Sequence, residues 1–324
     1  MSEIISSSSF LLGALAGQSA AAARSYARTA LSGSTLRAYR SDWAAFRDWC
    51  SIAGLTSLPA EPETVASYLA TLAHTHKRAT LRRKIVAIGQ VHQLAGHVWN
   101  ASHPLIRATL RGILRQHGLP RRQAQALGIV EIRKLVSTCD GSLTGLRDRA
   151  LFLLGFAGAL RRAELVAVWR EHLTFTTDGM RLVIPRAKGD QLGEGSALGI
   201  PRGQNRDTCP VRAMQAWLDQ SECKFGPVFR RVTMWGAVEH TALHPDAVRQ
   251  ILKRRAAACG LTAEAGSHLS PHGLRAGFVT EAYRAGARDE AIMEHTRHRD
   301  IKTMRGYVRR AMLVADSPAK LLGL

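Results

Sequence analysis

Residues 118–128, Gly-Leu-Pro-Arg-Arg-Gln-Ala-Gln-Ala-Leu-Gly, break the helical periodicity of this chain and divide it in two. Proline removes a backbone donor, and the flanking glycines and polar residues do not carry a helix through the segment. Before this break, apolar residues recur at three- and four-residue intervals. After it, helical patterns alternate with one β-prone stretch. A chain of 324 residues is long enough for two domains of ordinary size, each with its own core. The expected organisation is a Ser/Ala-rich arm over 1–30, a first domain over 31–117, a linker over 118–128, a second domain over 129–310 and an apolar tail over 311–324. The fold class expected is mainly α: an N-terminal helical bundle followed by an α+β domain with a small antiparallel sheet.

The first domain is read as four helices. Ser34 is a candidate N-cap, followed by Leu36, Tyr39, Trp43, Phe46 and Trp49 on one face, and Gly54 ends the pattern. That aromatic stripe suits a core better than a base-stacking platform. A second helix after Pro62 turns Val65, Tyr68, Leu69 and Leu72 inward. A third, over about 80–95, buries Leu81, Ile85, Ile88 and Leu94 and leaves Arg82, Arg83 and Lys84 outside. The fourth opens at Pro104 and carries Arg107, Arg111 and Arg115 four residues apart, hence on one face. Like charges at that spacing repel unless an anion lies opposite, so the stripe suits a phosphate backbone.

In the second domain, 129–138 and 146–157 are helical by pattern. Asp178-Gly179 between Leu173–Thr177 and Met180–Pro185 signals a β-hairpin. A third strand, Ala197–Pro201, follows a loop holding Lys188. Helices are expected near Pro210–Gln220, Pro245–Cys259, Pro271–Ala285, Arg288–Glu294 and Asp300–Arg309.

The net charge of +20 is spread over both halves. Up to position 118 there are 13 basic and 5 acidic residues, leaving +8; beyond it 32 and 20 leave +12. A polyanion partner follows, because neutralising phosphates releases condensed counterions. Arg121 and Arg122 keep even the linker basic, and a tether between two basic domains lets them close around a duplex. Five cysteines without a C-x-x-C pair point to a reducing compartment and no zinc module. His295-x-x-His298 has no third ligand at suitable spacing, so no metal is expected. No apolar run reaches the length of a membrane span. Phe10–Ala23 lacks the basic segment that would precede a signal-peptide core, and the arm is read as flexible, with Arg24 and Arg28 available to DNA.

The chemistry concentrates in an ordered set: Arg161-x-x-Glu164, Lys188, His272-x-x-Arg275, His298, and Tyr307 nine residues later. Arginine presents a fork of donors that fits a phosphate and stays charged. Tyrosine can form a covalent intermediate. Over roughly residues 30–315 the pattern resembles the tyrosine recombinases, the phage integrase family, in a Cre-like two-domain arrangement with a SAM-like core-binding domain first. One departure is plain: Arg297 stands before His298, where the family usually has glycine. Glycine there allows a backbone conformation costly for other residues.

The resemblance implies metal-free and ATP-free cleavage and rejoining of DNA through a 3′-phosphotyrosine. Arg161 and Arg275 would grip the scissile phosphate, Tyr307 attack it, and His272 assist proton removal or hold geometry. Lys188 would protonate the leaving 5′-oxygen, His298 hydrogen-bond the phosphate, and Glu164 orient the arginines. It also implies a homotetramer on two inverted-repeat duplex sites, in the cytoplasm and nucleoid of a bacterial or phage system. The tail 311–324 would dock on a neighbouring protomer or fold back on its own domain. Two rivals stand beside this reading: a type IB topoisomerase, and a DNA-binding regulator without activity.

Overall fold

A computed structural model describes residues 31–118, 122–185, 195–311 and 317–322. The chain divides into two units, Met1–Arg121 and Arg122–Leu324. The arm over 1–30, Arg121 and Lys188 lie outside the described residues, as do 312–316 and 323–324 of the tail.

The first unit contains helices α1 (Gly33–Ile52), α2 (Pro62–Thr71), α3 (Arg78–Leu94) and α4 (Pro104–His117). Ser32, not Ser34, caps α1: its Oγ accepts the Thr35 N–H at 3.2 Å while its own backbone is still extended. The aromatic stripe is core, as its spacing predicts. Phe46 is fully buried with Val65, Leu69, Leu81, Ile88 and Ile106, and Trp43 and Trp49 pack against them.

Two inward-outward assignments on α3 are corrected. Lys84 does not ride outside; it is 5% exposed, because positions 81, 84, 85 and 88 share the core-facing stripe. Its Nζ meets Asp42 at 3.3 Å and donates to the Tyr68 hydroxyl at 3.2 Å. Arg83 is half-exposed, and its Nε donates to the same buried Asp42 at 2.7 Å. Two cations around one buried carboxylate offset its desolvation, so Lys84 is a structural residue and no DNA contact. Leu94, expected inside, is 86% exposed at the helix end. His92 takes the interior place instead, its Nδ1 donating to Ile88 O and its Nε2 accepting the Ala60 N–H, both at 2.8 Å. On α4, Ile106 and Ile113 face the core while Arg107, Arg111 and Arg115 are exposed, and Arg82 on α3 is exposed as well.

The second unit begins earlier than the expected linker allows. Gln123–Ala124 forms strand β1, paired in parallel with the later strand Ser267–His268, and Leu127 is fully buried. Residues 122–128 therefore belong to the second unit, because apolar Leu127 finds its partners there. The exposed Arg122 donates from Nη2 to Ser267 O at 2.9 Å.

Next come α5 (Ile129–Ser137), α6 (Leu143–Ala157) and the short α7 (Arg162–Val166). Strands β2 (Leu173–Phe175), β3 (Gly179–Ile184) and β4 (Ser196–Pro201) form the antiparallel sheet in the order β2-β3-β4. The hairpin at Asp178-Gly179 closes as its dipeptide signals: the Thr176 N–H donates to Gly179 O at 2.9 Å. Leu182 lies opposite Leu173 on one side and Leu198 on the other, all three turned into the core. Helix α8 (Pro210–Gln220) brings Trp217 into that core. A second hairpin, β5 (Arg230–Val232) with β6 (Val238–Ala242), carried no strong turn signal and was not anticipated. Helix α9 (Pro245–Ala258) and strand β7 (Ser267–His268) precede α10 (His272–Arg284), α11 (Asp289–Thr296) and α12 (Ile301–Ala311).

Helix α10 lies directly on the segment that follows β1. The Leu127 N–H donates to Gly273 O at 2.9 Å, and a Cβ built at Gly277 would stand 1.8 Å from Leu127 O. Only glycine permits that approach, which fixes the helix bearing His272 and Arg275 against the core.

Candidate active site

Two helix endings build the site. Helix α6 stops when the Ala159 N–H donates back to Phe156 O at 2.9 Å and the Leu160 N–H to Gly155 O at 3.1 Å. Helix α11 stops the same way: the Arg297 N–H reaches Glu294 O at 3.2 Å and the His298 N–H reaches Met293 O at 3.0 Å. Both are Schellman endings, which place one residue in the left-handed region and favour glycine there. Neither has it. Ala159 has φ +45° and Arg297 φ +57°, each at a cost of roughly 1–2 kcal/mol relative to the right-handed form. The first turn delivers Arg161 and the second His298.

Arg161 precedes α7, and Glu164 turns back onto it. Glu164 Oε1 accepts from Arg161 Nη1 at 2.6 Å and Oε2 accepts the Arg161 backbone N–H at 3.0 Å. Arg297 Nη2 donates to the same Oε2 at 3.1 Å. Burial works to raise the Glu164 pKa, but the Arg161 backbone and side-chain donors and the Arg297 charge outweigh it and hold the carboxyl below its usual range. The acid is therefore ionised, shared between two guanidinium groups.

Arg275 projects from α10 and is 1% exposed. Its Nη1 donates to Ala159 O at 2.8 Å, while Nη2 is buried and meets no acceptor among the described residues. Burial first, then the Arg161 charge, pushes its pKa down to about 9, against the pull of Glu164. It stays charged at neutral pH, a buried cation with a donor unspent, which suits an incoming anion.

His272 opens α10, and its Nε2 stands 2.7 Å from the Tyr307 hydroxyl. Tyr307 reaches it from α12, which is held in place by Met304 and Val308 packed with Val279 and Ile292. The His298 ring lies 5.8 Å from the Tyr307 ring. Thr296, fully buried, donates its hydroxyl proton to Ile292 O at 2.6 Å, so its oxygen accepts from His298 Nδ1, also at 2.6 Å. This fixes the tautomer and turns Nε2 into the free end. Burial, then the charges of Arg275 and Arg161, push the His298 pKa down to about 3.

That shift carries a pH dependence. The unfolded chain takes up a proton on this histidine below about pH 6.5, whereas the folded protein resists down to about 3. The stabilising contribution is present above 6.5 and declines as pH falls through that window. Between pH 7 and 4.5 we expect wild type to lose on the order of 2–3 kcal/mol more than His298→Gln, read from urea unfolding at both pH values.

The structure thus gathers Arg161, Glu164, Arg275, His272, His298 and Tyr307. Sequence reading missed Thr296, and named Arg297 only as a departure from pattern. The string Thr296-Arg297-His298 held a signal, since a hydroxyl two residues before a histidine can reach its ring. His295 is not a second ring at the site: its Nε2 bonds Ala157 O at 2.8 Å and the ring stacks on Phe278. Among the described residues no group of three or more His, Cys, Asp or Glu side chains could hold a metal ion. No described helix is long and apolar enough to cross a membrane.

Comparisons with known proteins identify the family. The phage integrase family matches residues 125–313, and the phage integrase N-terminal SAM-like domain matches residues 24–97. An integrase/recombinase xerD homolog from Selenomonas ruminantium is 37% identical over 288 residues, covering 87% of this chain and 83% of that protein. Tyrosine recombinase XerC from Xanthomonas campestris is 26% identical over 280 residues, covering 86% and 79%. In fold, the Tn1549 transposon integrase in complex with transposon right end DNA aligns with TM-score 0.60 at 13% identity, covering 90% of this chain and 96% of that one. With arginines, histidines and tyrosine gathered as above and both family domains matched in order, this chain belongs to the phage integrase family, the tyrosine recombinases.

Proposed function

We propose that the chain performs site-specific recombination by transferring a DNA strand to Tyr307 and back. The single observation that carries the site assignment is the 2.7 Å hydrogen bond between the Tyr307 hydroxyl and His272 Nε2, beside the buried Arg275. Tyr307 gives its proton to His272 as its oxygen forms a bond to phosphorus. The bond from phosphorus to the 5′-oxygen breaks, leaving a 3′-phosphotyrosine. Arg161 and Arg275 hold the non-bridging oxygens and stabilise charge in the pentacoordinate state. Lys188 protonates the departing 5′-oxygen. A 5′-hydroxyl then attacks the phosphotyrosine and the same proton transfers run in reverse. The arginines supply the charge a metal otherwise would, and the covalent bond conserves the phosphodiester energy, so neither metal nor ATP enters.

His298 faces the phosphate with Nε2. That nitrogen donates only after taking up a proton, which the phosphate charge favours by offsetting Arg161 and Arg275. Exposed Arg82, Arg107, Arg111 and Arg115 contact the DNA backbone, joined by Arg83 and Arg122 where their existing bonds leave donors free. Arg121 belongs to the same set. The working assembly is a homotetramer on two inverted-repeat duplex sites, acting on cytoplasmic DNA. A solved lambda integrase tetramer bound to a Holliday junction, similar in fold at TM-score 0.57 and 16% identity, offers a geometry for it.

The test is a duplex library carrying random sequence, incubated with wild-type protein and recovered as covalent protein–DNA complexes. We expect enrichment of one inverted-repeat sequence, and strand exchange between two copies of it. Relaxation of supercoiled plasmid without site preference would assign the chemistry to a topoisomerase instead.

A further inference from the structure

Arg297 occupies a left-handed position at the end of α11, with only 12% of its side chain exposed. Its contacts cross to the other helix ending. Nη2 donates to Glu164 Oε2 at 3.1 Å and approaches Gly158 O at 3.5 Å, while Nη1 donates to His295 O of its own helix at 3.1 Å. Glu164 in turn holds Arg161 by side chain and backbone. One guanidinium therefore ties the turn that delivers His298 to the turn that delivers Arg161.

We infer that Arg297 is a positioning residue, a charged strut that fixes Arg161 relative to His298 by sharing Glu164. Glycine would make the same backbone turn without strain, but it would leave Glu164 paired with Arg161 alone. The carboxylate would then draw on the Arg161 fork undivided. With Arg297 present, three guanidinium groups and one carboxylate leave a net charge of +2 around the place a phosphate would occupy. The planar fork matters as well as the charge, since Nη1 and Nη2 grip different helices. This inference rests on the reading that Arg161 holds the scissile phosphate.

Arg297→Gly tests it, because glycine suits the backbone and leaves a guanidinium-sized space. On a nicked suicide duplex, single-turnover formation of the covalent complex should slow by on the order of 10²-fold, as for a displaced reacting group. Non-covalent DNA affinity, read by mobility shift in a Tyr307→Phe background, should stay within about twofold. Millimolar guanidinium should restore part of the lost rate, which no purely structural role explains. Arg297→Lys, with charge but no fork, should fall between the two. Cleavage by Arg297→Gly within about twofold of wild type, or a slow variant that guanidinium does not rescue, overturns the inference. A second readout separates this from failure of the underlying assignment. Low-millimolar inorganic phosphate at constant ionic strength should raise the melting temperature of wild type more than that of Arg297→Gly, whether or not Tyr307 is the nucleophile. Equal shifts count against the strut.

Discussion

Tyr307→Phe is expected to abolish the covalent complex on a nicked suicide duplex while leaving DNA binding unchanged. The substitution removes one oxygen, the atom proposed to bond phosphorus. The Thr296 hydroxyl at the site already donates to Ile292 O and accepts from His298. Packing is untouched, because Met304 and Val308, not the phenol oxygen, hold α12 on the protein. The lost hydrogen bond to His272 is worth about 1 kcal/mol, so the melting temperature should move by only several degrees. Gel electrophoresis under denaturing conditions reads the adduct, and mobility shift reads the binding. An adduct surviving in the variant would remove Tyr307 from the mechanism.

Arg275→Met should also separate activity from stability. Arg275 is a buried cation beside Arg161, its charged form disfavoured by burial and by that neighbour. Methionine fills similar space without a charge to desolvate. Against this gain stands the hydrogen bond to Ala159 O, whose loss costs about 1–3 kcal/mol. The two terms oppose each other, so a melting temperature close to wild type is the expected result. Cleavage should nevertheless fall by on the order of 10²–10³-fold, the range seen when one donor to a developing anion is removed. Stopped single-turnover cleavage and calorimetry measure the two effects on the same preparation. Loss of rate accompanied by unfolding would mean that Arg275 serves the core more than the phosphate.

Much of the fold was legible because it rests on local chemistry. Asp178-Gly179 closes its hairpin, Phe46 and its helical neighbours make a core, and prolines open α2, α4, α8 and α9. Two of the misreadings share one cause, which is partnership over long sequence distances. Lys84 looked like one of three consecutive surface cations until Asp42, 42 positions earlier, drew it inside. Residues 122–128 looked like a tether until Ser267 and His268 supplied a strand to pair with Gln123 and Ala124. The β5–β6 hairpin lacked a strong turn dipeptide and stayed invisible.

The site divides along the same line. The kinds of residue were fixed by sequence alone: a forked cation at 161 and 275, an imidazole at 272 and 298, a phenol at 307, spaced as one known chemistry requires. The substitution at 297 was visible too, but only as a missing glycine. Tertiary structure decided what that arginine does, by bringing the ends of α6 and α11 close enough for Glu164 to serve both Arg161 and Arg297. It also settled that His272, rather than His298, meets the Tyr307 hydroxyl, and that Thr296 sets the His298 tautomer. A hydrogen bond needs two atoms within about 3 Å, and a charge is tuned by whatever is buried beside it. Spacing along a chain sets neither distance; only packing does.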